Sequence, residues 1–201
     1  MSAIAASPLA TAPPRTPRRP RVLLVGAAFA AVASALVILS LLAVYLRFRA
    51  DELATGATTL PKGVVLPLTP GTMGLVTLSM SVVFMAWVVY ALRNDDRPHA
   101  YLALLLTLVF GGCFIIDTVY LYQQLALSPT KAPIAGLLYA VTATHLVMVV
   151  VGMVFAAVMG FQALGGQLTG REAEGMSAAA LYWYVSAAVY AVLWYAVYVT
   201  K

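Results

Sequence analysis

The residues able to do chemistry in this chain are few: two histidines, one cysteine and seven acids. Among the acids, Asp117 alone falls inside an apolar run of spanning length. An ionisable group in the middle of a membrane helix costs about 2.5–3.5 kcal/mol on insertion scales, so it usually faces protein or water. Two roles are open to it. It is a proton-pathway or cofactor-side residue, or it is a structural contact near the end of its helix, with Tyr120 or Tyr122 supplying a hydrogen bond. His145 could ligate a haem or a metal, but a haem site needs paired axial ligands or an open coordination position. The other histidine, His99, lies in a polar turn on the opposite side of the membrane from His145. A redox centre held by this chain alone is therefore not expected, and His145 is read as a buried hydrogen-bonding or lipid-facing group.

Cys113 stands alone, which excludes an internal disulfide and any CxxC or Cys/His cluster; it is expected to be a small core hydrophobe. No P-loop, GxSxG, HExxH or dinucleotide fingerprint is present. Gly111-Gly112 suit close helix packing and Gly165-Gly166 a turn, rather than phosphate binding. No catalytic, cofactor-binding or metal-ligating residue is assigned on these grounds.

The elements that must position these residues are set by composition. Of 201 residues, 63% are hydrophobic and 9% charged, where a soluble domain carries about a quarter charged. Five apolar segments, over about 22–46, 72–92, 100–122, 134–164 and 178–200, each have the ~20 residues that crossing ~30 Å of hydrocarbon requires. Backbone polar groups must be satisfied internally in lipid, and barrel-type alternation is absent, so the segments are helices. The expected fold is all-α, a polytopic membrane bundle of about five transmembrane helices in one domain over 22–201. Residues 1–21, rich in Pro, Ala and Arg, are expected to be a disordered cytoplasmic tail. A signal peptide is the rival for the first segment, but that apolar run is longer than an h-region of about 7–15 residues.

The net charge of +5 does not form a basic face, so no nucleic-acid partner is expected. Arg15, Arg18, Arg19 and Arg21 precede the first span and anchor the N-terminus in the cytoplasm, which leaves the C-terminus outside after five spans. Arg93, Arg97 and Arg171 then join them inside, against Arg47, Arg49, Lys62, Lys131 and Lys201 outside. Segment five is dense in aromatics, with clusters near its two ends that are read as interface belts. Trp183, Ala187, Tyr190, Trp194 and Tyr198 also share one helical stripe that could pack on another helix.

Several stretches together resemble subunit III of the haem–copper oxidases in its short five-helix form. Segment one has Val25-Gly26, Ser34 and Tyr45-Leu-Arg47-Phe-Arg49. In segment three, Phe114-Ile-Ile-Asp117-Thr-Val-Tyr120-Leu-Tyr122 resembles the family's F-x-x-G-Q-x-Y-E-Y. In segment four, Leu138-Tyr139-Ala-Val-Thr142-Ala-Thr-His145 with Gly152 resembles F-Y-x-x-T-G-x-H-G-x-H-x-x-x-G. In segment five, Leu181-Tyr182-Trp183 resembles Y-Y-W. Thr142, His145, Gly152, Tyr120, Tyr122, Tyr182 and Trp183 match, whereas the family's intramembrane acids fall at Ser34 and Leu121, its second histidine at Met148, and its later His and Asp at Tyr184 and Ala187.

The resemblance implies a non-catalytic subunit of a terminal oxidase in a bacterial plasma membrane, supporting its catalytic partner by helix packing and lipid contact. Haem and copper would sit in the partners, subunits I and II, with structural phospholipid held between helices. Asp117, His145, Tyr120 and Thr142 are then polar positions for structure, lipid or protons. A related subunit of a bacterial nitric oxide reductase is an alternative. A small transporter or unrelated scaffold is a further one, although broken helices and an inverted repeat are not apparent.

Overall fold

The computed structural model describes residues 21–55, 67–125, 133–165 and 174–200. They form α1 (Val22–Ala54), α2 (Leu68–Arg93), α3 (Arg97–Leu125), α4 (Pro133–Leu164) and α5 (Glu174–Trp194), the last continuing as a π-helical turn over Tyr195–Val199. Each of the five is long and apolar enough to cross a membrane, and no strand occurs among the described residues. The chain is a multi-pass membrane protein with an all-α fold. The tail expected over 1–21 lies, apart from Arg21, outside the described residues.

The helices are longer than the apolar runs. α1 continues through Arg47 and Arg49 to Ala54 because helix bonds do not depend on side-chain polarity, and Arg47 pairs with Asp51 one turn on at 3.1 Å. Much of the connection expected over 47–70 is therefore helix, and residues 56–66 lie outside the described ones. Pro70 and Pro98 sit in the first turns of α2 and α3, and Pro133 opens α4, where a missing N–H costs nothing. The α2–α3 connection is only Asn94–Asp96. Asp95 takes φ 56°, a left-handed conformation that aspartate tolerates, while the Asp96 N–H returns to the Ala91 carbonyl at 2.9 Å. Asp96 then accepts from the His99 N–H at 3.4 Å, capping α3.

α5 is the centre of the bundle. It packs against α1, α2 and α4, while α3 joins α2 to α4, and α1 lies outside against α4 and α5. Burial agrees: 56% of the apolar window of α5 is buried in the bundle, against 17% for α1. α1 and α5 run parallel, as helices separated by four reversals of direction must. Glu174 Oε1 accepts from the Leu24 N–H at 3.4 Å where both helices begin, its negative charge lying at two helix N-termini. Where both end, the Arg49 guanidinium donates to the Thr200 carbonyl. These two ends are called the Asp96 end and the Arg49 end below.

Candidate functional site

The polar side chains inside the spans form contacts between helices. Serine and threonine mostly satisfy themselves on the preceding turn, as Thr107 Oγ1 does on the Ala103 carbonyl at 2.9 Å and Thr118 Oγ1 on Phe114 at 2.9 Å. The groups left over reach across. Trp183 Nε1–H donates to Ser81 Oγ at 3.0 Å, Tyr190 Oη–H to the Gly71 carbonyl at 3.1 Å, and Trp194 Nε1–H to Thr72 Oγ1 at 3.3 Å. All three pin α5 to α2. Trp183 is 1% exposed and Tyr198 4%, with the Tyr198 ring laid over Gly71. The belt expectation for these residues is therefore corrected: the shared stripe is a packing face. Helix α5 is central, so its aromatics meet neighbouring helices before they can meet an interface; Tyr195, 58% exposed, points away from that stripe.

His145 is buried on α4. Its Nε2–H donates to the Ser186 carbonyl of α5 at 3.0 Å, which fixes the tautomer. Its ring lies 5.2 Å from Tyr190 and meets Phe114 edge-on at 5.7 Å. One nitrogen is thus engaged, and the ring is wedged between α3 and α5. His99 is one helix start away from Phe114, about 22 Å along α3 at ~1.5 Å per residue, so the two histidines do not meet. His99 Nδ1 instead lies 2.7 Å from Asp96 Oδ2. That hydrogen bond, with a second from the His99 N–H, holds the exposed Asp96 carboxyl below the usual carboxylate range.

Thr142 Oγ1 donates to the Leu138 carbonyl and takes the Tyr122 hydroxyl, each at 2.8 Å, joining α3 to α4. Tyr120 faces outward, 52% exposed, and accepts from Gln124 Nε2 at 2.7 Å. Neither tyrosine offered as a partner for Asp117 reaches it. Asp117 is half-buried, and its Oδ2 lies over Gly74 of α2. A Cβ at Gly74 would stand 3.1 Å from that oxygen and 2.6 Å from Tyr190 Oη, so the glycine makes the notch that both groups share. Cys113 is exposed, which corrects its reading as a core hydrophobe. In lipid an apolar run surrounds the helix on all sides, so an apolar neighbourhood in sequence does not distinguish inside from outside. Ser81, Ser186, Gly71 and Gly74 were not singled out by sequence; their partners lie on helices far away in the chain.

Among the described residues, no three His, Cys, Asp or Glu side chains come together to hold a metal ion. The chain matches the family model described as cytochrome c oxidase subunit III over residues 21–201. It belongs to the cytochrome c oxidase subunit III family. A probable cytochrome c oxidase subunit 3 of Rickettsia conorii is 30% identical over 124 residues, 61% of this chain and 44% of that protein. Cytochrome c oxidase subunit 3 of Bos taurus is 27% identical over 135 residues, 66% of this chain and 52% of that one. The rat protein (Rattus norvegicus) is 28% identical over 141 residues, 69% and 54% respectively. The chain thus spans about half the length of the curated relatives it matches.

Membership in the subunit III family gives the replaced residues a structural meaning. Leu121 and Met148, where the family resemblance puts an acid and a histidine, are 5% and 3% exposed and belong to one apolar cluster with Tyr182 and Tyr198. Ser34, at the other acid's place, lies 3.4 Å from the Tyr182 hydroxyl. Apolar packing fills two of the three positions that the resemblance would make polar, and a serine fills the third.

Proposed function

We propose that this chain serves as a non-catalytic, subunit III-like component of a haem–copper terminal oxidase. The observation that carries the proposal is the family match over residues 21–201. Haem and copper belong to its partners, a catalytic subunit I and a subunit II, and the chain supports them by helix packing and lipid contact. The interhelical bonds of α5 support this reading, since each joins two helices of a bundle rather than lining a route for substrate. The membrane is the bacterial plasma membrane, with the N-terminus cytoplasmic and the C-terminus outside. Arg21, Arg93 and Arg97 at the Asp96 end support that orientation. Thr142, Tyr120, His145 and Asp117 serve structure or lipid contact rather than catalysis.

The test is to purify the tagged chain in mild detergent and record its absorption spectrum and accompanying proteins. Haem a or b with a large multi-span partner is expected. A colourless, partnerless chain overturns the proposal. Turnover of that complex with O₂ and with NO then separates an oxidase from a nitric oxide reductase.

A further inference from the structure

One face of α3 carries polar groups where lipid would be the default neighbour. Asp117, Tyr120 and Gln124 follow one another at spacings of three and four, so they share a helix face, with Cys113 one turn before. Cys113, Ile116, Tyr120 and Gln124 are exposed, Ile116 by 70%. Asp117 is half-buried at the border of this face, where Phe114, Thr118 and Leu121 turn into the bundle. Among the described residues, no hydrogen bond or ion pair to its carboxyl is seen; Oδ2 shares the Gly74 notch with the Tyr190 hydroxyl, and its charge is felt by Tyr190 and Tyr198.

Depth decides what can satisfy it. With 29 residues, α3 is about 43 Å long, against ~30 Å of hydrocarbon. Asp117 lies eight residues, about 12 Å, before Leu125 at the Arg49 end, hence about 6 Å inside the hydrocarbon when the helix is centred. Lysine or arginine could extend a long stem to water from there, but aspartate has none. Acyl chains offer no donor. Three residues on, the Tyr120 hydroxyl accepts from Gln124 and keeps its own proton to give outward. Carboxyl and hydroxyl together form an acceptor and a donor one turn apart, on a strip completed by Cys113, Ile116 and Gln124.

We propose that this strip is the seam on which a transmembrane helix of the catalytic partner docks, setting a cationic or N–H-donating side chain against Asp117 and an acceptor against Tyr120. The proposal rests on the subunit III-like role above, which supplies the partner, but it concerns a face that role does not specify. A lipid amine is the competing occupant, and it would have to descend into hydrocarbon to reach Asp117.

The experiment uses the whole complex in its native membrane. A photoreactive benzoylphenylalanine replacing Ile116 is expected to crosslink to the haem-bearing subunit; adducts to lipid alone overturn the seam. In detergent titration of the complex, Asp117→Leu is expected to lower retention of the chain by about tenfold, with Asp117→Asn close to wild type because an amide still hydrogen-bonds. Retention of Asp117→Leu equal to wild type overturns the pairing. The crosslink is made with Asp117 intact, so it reads the seam even where Asp117→Leu folds poorly. If haem protein copurifies and no crosslink forms, the seam alone fails; if no haem partner exists, both proposals fail.

Discussion

Trp183 is the side chain whose loss the bundle should feel most clearly. Its indole lies against Gly111 of α3 and Gly152 of α4, and its N–H donates to Ser81 of α2, so one residue of α5 touches three other helices. Replacing it with phenylalanine removes the donor and half of a bicyclic ring. Ser81 is not orphaned, because its hydroxyl still donates to the Leu78 carbonyl at 2.6 Å. The lost bond is worth about 0.6 kcal/mol, a typical interhelical value in membranes. The void, about one water's volume or ~30 Å³, adds about 0.7 kcal/mol at ~24 cal/mol per Å³. Trp183→Phe should therefore cost about 1.3 kcal/mol. Ser81→Ala works differently: it strands a buried indole N–H, which costs about 1–3 kcal/mol. In the double variant no N–H is stranded, so its cost falls back to about that of Trp183→Phe alone, and the singles fail to add by about 1 kcal/mol or more. Reversible unfolding in mixed micelles, driven by rising SDS and followed by far-ultraviolet circular dichroism, measures all three. Additive single effects, or a Trp183→Phe variant within about 0.3 kcal/mol of wild type, would refute a packed and hydrogen-bonded indole.

Gly74→Ala should destabilise by about 1 kcal/mol despite alanine's better helix propensity, because its Cβ meets Tyr190 Oη at 2.6 Å and that hydroxyl is held by Gly71. Gly26→Ala, with open space around it, should be neutral or stabilising in the same unfolding assay, and equal outcomes at the two positions would contradict the packing. His145→Leu removes the bond to the Ser186 carbonyl and should cost about 1 kcal/mol while leaving the haem spectrum of the purified complex unchanged; a lost or shifted haem band would make His145 a ligand after all. For Asp96 the pKa is depressed in the folded chain, so its capping bond contributes at pH above the ordinary carboxylate range and is lost as pH falls through the lower folded value. Isotope-edited infrared titration should find the Asp96 midpoint below the ordinary ~3.9, and His99→Ala should return it towards that value. An unchanged midpoint in His99→Ala would assign the shift to another cause.

By itself the sequence determined the solvent and the class of fold. Five runs of roughly spanning length leave the backbone no alternative to helices in lipid, and the α2–α3 turn is visible in Asn94-Asp95-Asp96 followed by Pro98. It also carried the family, through short motifs around Tyr120, Thr142, His145 and Trp183. What it could not determine was which face of each helix looks inward. In water a polar stripe marks the outside, but lipid is as apolar as a core, so Cys113, exposed, and Phe114, buried, stand side by side in one apolar run. Helix length was likewise hidden, because Arg47 to Ala54 continues a helix that hydropathy alone would end. Only the packing decided that α5 is central, that its aromatics bind Ser81, Gly71 and Thr72, and that Asp117 shares the Gly74 notch with Tyr190. Those partners are about a hundred residues apart in the chain in three of the pairs, and a bond between helices exists only once their order around the bundle is settled.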